Sequence, residues 1–212
     1  MDRRLFIQSS LASMVGLCRS VYATPKRRTC VVGIGGIGPK ILDHAIKSGL
    51  SKNDAIFVDT GDYVHGLGKS ESEMSLIGVE FAQLYECGRQ VEIAEMVLTK
   101  ERWKIRRAID RYDRTILLVD LSHGIASAMA SLIARFAAEN ETPSTVIAST
   151  PIPGCSYECQ RCSRSALQSI TRDVEEVIVI DLKSFEIGPT TTVNEIFAYQ
   201  NEQCIEILSK YV

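Results

Sequence analysis

Five short apolar runs punctuate this chain, and helical alternations of apolar and charged positions fill most of the space around them. The runs are Cys30-Val31-Val32, 55–58, 115–119, 145–148 and 177–180, each of strand length and without the polar alternation of a one-sided sheet. Segments 40–48, 126–138, 163–172 and 193–211 read as helices. In 93–109 the helical spacing is carried by Ile93, Met96, Val97, Trp103, Ile105 and Ile109, which predicts one helix or a helix pair. The segment 63–75, rich in Gly, Ser and charge, predicts a loop. Strands alternating with helices predict an α/β fold, a three-layer, mostly parallel sheet flanked by helices. Right-handed crossovers in such a sheet gather ligand sites at the carboxyl ends of the strands.

The first strand runs directly into Gly33-Ile34-Gly35-Gly36-Ile37-Gly38 and then into a helix. Glycines lacking Cβ let backbone approach an anion, and the amides opening the next helix face it with the positive end of the helix dipole. This marks Gly33, Gly35, Gly36 and Gly38 as a candidate phosphate turn, although glycines there also serve tight packing. The second strand ends in Asp59-Thr60-Gly61-Asp62, a polar strand end of the kind that lines ligand sites.

Composition narrows the field without choosing within it. At 212 residues, 45% hydrophobic and 24% charged, the chain suits one soluble domain with a real core, here placed at 28–212. A formal net charge of -2 gives no field for nucleic acid, despite the local cluster Lys26-Arg27-Arg28. Residues 1–23 read separately: Arg3-Arg4, a weakly apolar stretch to Leu17, then Val21-Tyr22-Ala23. That is the grammar of a twin-arginine-like export signal, with Asp2 where Ser or Thr is usual; a membrane-associated amphipathic helix fits equally. Cleavage would remove Cys18 and leave six of seven cysteines, among which Cys30 and Cys204 read as small hydrophobes.

From Thr29 onward the order of these pieces resembles the nucleotide-binding domain of the tubulin/FtsZ superfamily, as a short divergent member. Val31 to Gly38 looks like that family's first phosphate loop, and Val58-Asp59-Thr60 its strand-end turn, where Asn-Thr is usual. Gly88-Arg89-Gln90 with Ala94-Glu95 is similar to a short segment ahead of the next strand. The resemblance implies a Rossmann-like GTPase-domain fold and GTP or GDP as the ligand. It also implies itself or another FtsZ-like protein as partner. Phe197 and Asn201 match an aromatic that stacks on guanine and an amide that bonds it, on one face of the last helix at i, i+4 spacing.

Two departures weaken hydrolysis. Ser122-His123-Gly124-Ile125-Ala126-Ser127-Ala128 stands where the family has Gly-Gly-Gly-Thr-Gly-Thr-Gly, so donors fall to Ser122, Gly124, Ser127 and the helix start. His123 reads as an exposed loop residue. The sequence reaches only Val212, within or just after the core helix, without the family's acidic loop and second domain. The resemblance therefore implies a switch or assembly partner with weak or absent turnover and no assigned catalytic residue.

Cys155, Cys159 and Cys162 lie within eight residues, close enough for a metal, in the spacing of the radical-SAM iron–sulfur motif but after a late strand. Zinc would need a fourth ligand such as His123 or Cys87. A loop with incidental or redox-active thiols is the plainer reading. In the family this segment carries a ribose-contacting Glu and an Arg, for which Glu158 and Arg161 are candidates. Two alternatives remain: a dinucleotide or adenylate site of a Rossmann-type enzyme built on Gly33 to Gly38 and Asp59, and a nucleotide-free partner-binding or thiol-metal protein. The nucleotide reading implies the cytoplasm, whereas a true signal implies the periplasm.

Overall fold

Four of the apolar runs form inner strands of one sheet, and the fifth, 177–180, forms an edge strand. The computed structural model describes residues 28–59, 74–76, 91–122, 124–182, 185, 188 and 190–212. Its elements are β1 (Thr29–Ile34), α1 (Gly38–Lys47), β2 (Ala55–Asp59), β3 (Met74–Leu76), α2 (Val91–Ile109) and β4 (Arg114–Asp120). These are followed by α3 (Gly124–Glu139), β5 (Ser144–Ser149), α4 (Tyr157–Asp173), β6 (Glu176–Ile180) and α5 (Val193–Leu208). The six strands are all parallel, in the order β3-β2-β1-β4-β5-β6. Order reverses between β1 and β4, the position at which open parallel sheets bind ligands.

Register aligns the ends of the strands that matter. Ile34 lies opposite Val58 on one side and Val119 on the other, and Val119 lies opposite Ala148. One step further, Gly35, Asp59, Asp120 and Ser149 therefore share one edge. Side chains of the central strands alternate between two cores. Val32, Ile34, Leu117 and Val119 pack with residues of α2, α3 and α4, whereas Val31, Ile116 and Leu118 pack with α1 and α5. Burial on both faces is why these strands read as unbroken apolar runs.

Three expectations change at element boundaries. The stretch 93–109 is one helix, α2, rather than a pair. The last two residues of the expected loop 63–75 belong to β3, which pairs with the end of β2 through Phe57 and Met74. Helix α4 starts six residues earlier than expected, because Ser156 caps it by accepting from the Cys159 amide at 3.2 Å, with Glu158 in the first turn. The expectations for residues 1–23, Thr60, Cys87, Gly88 to Gln90 and His123 lie outside the described residues. Among the described residues no helix is long and apolar enough to cross a membrane.

Candidate functional site

The glycine turn is shaped by packing on one side and open on the other. A Cβ at Gly33 would sit 2.7 Å from the carbonyl oxygen of Gly38, and one at Gly38 would sit 2.6 Å from that of Leu118. These two glycines therefore let the start of α1 lie against β1 and β4. Gly35 has φ +71, which favours glycine, and a Cβ there would reach within 2.5 Å of the Ala126 Cβ at the start of α3. Its amide donates to the Val58 carbonyl at 2.9 Å. Gly36 differs: it is exposed, with nothing within 4 Å of an added Cβ.

The donors of the turn follow from this. Gly35 has spent its amide on β2, and Pro39 in the first turn of α1 has none. The Lys40 amide donates to Ile37 at 2.9 Å. The amides of Gly36, Ile37 and Gly38 have no backbone partner among the described residues, and of the three Gly36 is the exposed one. An anion at this turn would be met by these amides rather than by that of Gly35.

The second turn, between β4 and α3, is closed on itself. Ser122 donates through Oγ to the Asp120 carboxylate at 2.8 Å, and its amide donates to the same oxygen at 3.3 Å. Ser127 is buried, and its hydroxyl donates to the Leu121 carbonyl at 3.3 Å. A hydroxyl has one proton, so neither serine presents a donor to a phosphate in this arrangement. The expected donor role of Ser122 and Ser127 would require these bonds to break. Gly124 opens α3, two residues before the expected start at Ala126.

Asp120, 3% exposed, is the hub of a network that the sequence reading missed. Ser149 Oγ donates to Asp120 Oδ1 at 2.9 Å, and Gln200 Nε2 donates to Ser149 Oγ at 2.6 Å. The single Ser149 proton goes to the carboxylate, which fixes the amide with Nε2 toward Ser149. Gln200 Oε1 is then buried without a partner among the described residues. The signal was present in sequence: Ile196, Gln200, Cys204 and Leu208 form the buried row of α5, and Gln200 is the polar member of an apolar stripe. Burial, with a smaller push from Asp120, raises Cys204 to about 12; burial likewise raises Cys30 to about 11. Both thiols behave as small hydrophobes.

On α5, Phe197 and Asn201 are each half-buried, and Phe197 belongs to neither apolar core. Helix α5 is anchored by a capping box in which Thr192 and Glu195 exchange hydrogen bonds. Asp59 ends β2 on the same sheet edge. Glu158 is exposed and bound to Arg161 at 2.6 Å. The three clustered cysteines do not converge. Cys155 precedes the α4 cap with its thiol on the Ser156 carbonyl at 3.8 Å. Cys159 donates to the Ser122 carbonyl at 2.9 Å, and Cys162 contacts Glu158 Oε1 at 3.8 Å. Among the described residues no three His, Cys, Asp or Glu side chains are grouped to hold a metal. Cys155 stands outside α4, whereas Cys159 and Cys162 lie three residues apart within it.

A three-layer α/β domain with an all-parallel sheet and a glycine turn at its switch point is a nucleotide-site architecture shared by several classes. Similar solved structures narrow the fold. An empty FtsZ dimer from M. jannaschii matches with TM-score 0.77 and 20% identity over 92% of this chain and 57% of that one. CetZ1 from Haloferax volcanii, a GDP-bound monomer, matches at 0.74 and 18%, over 84% and 58%. C-terminally truncated TubZ of Clostridium botulinum phage c-st matches at 0.67 and 14%, over 86% and 59%. The chain thus has the tubulin/FtsZ superfamily fold and spans 57% to 59% of the length of these proteins. No family model and no curated protein matches it.

Proposed function

We propose that this protein binds a guanine nucleotide at the β1–α1 turn and acts as a switch or assembly partner with little or no hydrolysis. The observation that carries this reading is the open side of Gly36. The amides of Gly36 and Ile37, without a backbone partner among the described residues, lie just ahead of α1 at the switch point of the sheet, on a turn already held in shape. Phe197, half-buried yet outside both cores, and Asn201 one turn later are the candidate base contacts, and the GDP-bound CetZ1 and a CetZ2 protofilament bound to GTPγS support the ligand class by likeness of fold. The closed second turn supports weak turnover, since Ser122 and Ser127 hold their protons inward.

Binding of fluorescent GDP, GTP, ATP and NAD to the purified chain tests this. The expected result is GDP and GTP selectivity, lost about tenfold or more in Phe197→Ala with unfolding unchanged, as for one stacked aromatic removed. Preference for NAD or ATP would sink the guanine reading in favour of a Rossmann-type enzyme, for which Asp59 at the end of β2 is also suited. A second reading, a nucleotide-free partner protein, rests on the buried Asp120 carboxylate beneath the second turn. Absence of binding by all four ligands selects it.

A further inference from the structure

Two of the clustered cysteines are placed for thiol chemistry with each other. Cys159 and Cys162 form a Cys-Gln-Arg-Cys pair in the first two turns of α4, and the five described cysteines carry no disulfide. Helical geometry puts Cα atoms three residues apart at about 5 Å, inside the Cα span a disulfide bridges, but Cβ atoms at about 5–6 Å, so closing the bond must draw in the first turns of α4. The two thiols differ in access. Cys159 is buried with its proton on the Ser122 carbonyl, whereas Cys162 is half-exposed. Cys162 also lines a groove of about 240 Å³ between α3 and α4, with Ser127, Ser131, Arg135, Arg161 and Ser165. The Arg161 guanidinium is held by Glu158, so Arg135 is the lining cation that suits a ligand bearing carboxylates.

We infer that Cys159 and Cys162 are a dithiol–disulfide pair, oxidised from the groove by an anionic low-molecular-weight disulfide, and that oxidation releases the Ser122 turn. The Cys162 thiolate attacks one sulfur of the small disulfide, giving a mixed disulfide and one thiolate leaving group. Cys159 then loses its proton and attacks the Cys162 sulfur, closing the intramolecular bond and expelling the second thiolate. Two protein thiols are oxidised, and one small disulfide is reduced to two thiols. A disulfide sulfur has no proton, so the 2.9 Å bond from Cys159 to the Ser122 carbonyl is lost with the reaction. The same turn carries the Leu121 amide bound to Ser149 and the Ser122 amide bound to Asp120. The consequence for nucleotide binding rests on the function proposed above, whereas the thiol chemistry and the loosening of the turn do not.

The test treats the reduced full-length protein with glutathione disulfide, which is anionic, or with the neutral bis(2-hydroxyethyl) disulfide, and maps the products by peptide mass spectrometry. A Cys159–Cys162 bond as the main product, and a mixed disulfide trapped on Cys162 in Cys159→Ser, are expected. Bonding of Cys155 to Cys159, or stable modification of Cys162 without closure in the wild type, overturns the pair. Glutathione disulfide should react several-fold faster than the neutral reagent, an advantage removed in Arg135→Gln; equal rates overturn the assignment to the groove. Hydrogen exchange at Leu121 and Ser122, without nucleotide, should quicken about fivefold to tenfold on oxidation, the loss of one ordinary hydrogen bond. Cys162→Ser and Cys162→Ala should show no such change. Unchanged exchange in an oxidised wild type overturns the release of the turn.

Discussion

The two turns that flank the switch point solve the same backbone problem in opposite ways. After β1, glycine takes every position where a Cβ would strike backbone, and the amides of Gly36 and Ile37 stay open. After β4, serine and alanine replace most of that glycine; Ser122 and Ser149 donate to Asp120, and Ser127 donates to the Leu121 carbonyl. An open turn is available to a ligand; a self-satisfied one must break internal hydrogen bonds before it can serve one. The difference teaches that losing glycine here changes the hydrogen-bond allegiance of the turn as well as its shape.

Substitutions can break this contrast, beginning with the largest. Gly38→Ala places a Cβ against the Leu118 and Gly33 backbone, where nothing flexible can yield, and should cost about 3 kcal/mol, read from the urea midpoint. Ser149→Ala leaves the Gln200 amide without an acceptor and removes a donor from Asp120. A loss of about 2 kcal/mol is expected by the same measurement, and a loss under about 0.5 kcal/mol would mean that the second turn is not held from below. Gln200→Met removes that bond but also the orphan Oε1, so the change should stay within about 1 kcal/mol. Gly36→Ala should alter stability least, within about 0.5 kcal/mol, because its Cβ meets open space. It should nonetheless weaken GDP binding, which fluorescence titration of the same protein checks.

The sheet was legible because its central strands are covered on both faces, so their apolar runs needed no partner information to be read. Element ends were harder. The α4 start was hidden by a cysteine-rich stretch that looked like a loop, although Ser156 and Glu158 carry a helix-start signal. At the site, glycine was legible as a type, but spacing alone could not separate Gly33 and Gly38, which are needed for packing, from Gly36, which is open. The serines after β4 were read as donors because sequence gives hydroxyls without their partners. Asp120 and Gln200 went unnoticed for the same reason: a buried carboxylate five elements away from a buried amide is a tertiary fact, although the polar break in the α5 stripe was there to see.

The bond from the Gly35 amide to Val58 has a thermodynamic consequence beyond geometry. With Gly35 tied to β2 and Gly33 pressed against Gly38, the turn gave up its conformational freedom when the chain folded. A ligand arriving at Gly36 and Ile37 has little backbone left to order there, so its affinity should carry only a small penalty for ordering this turn.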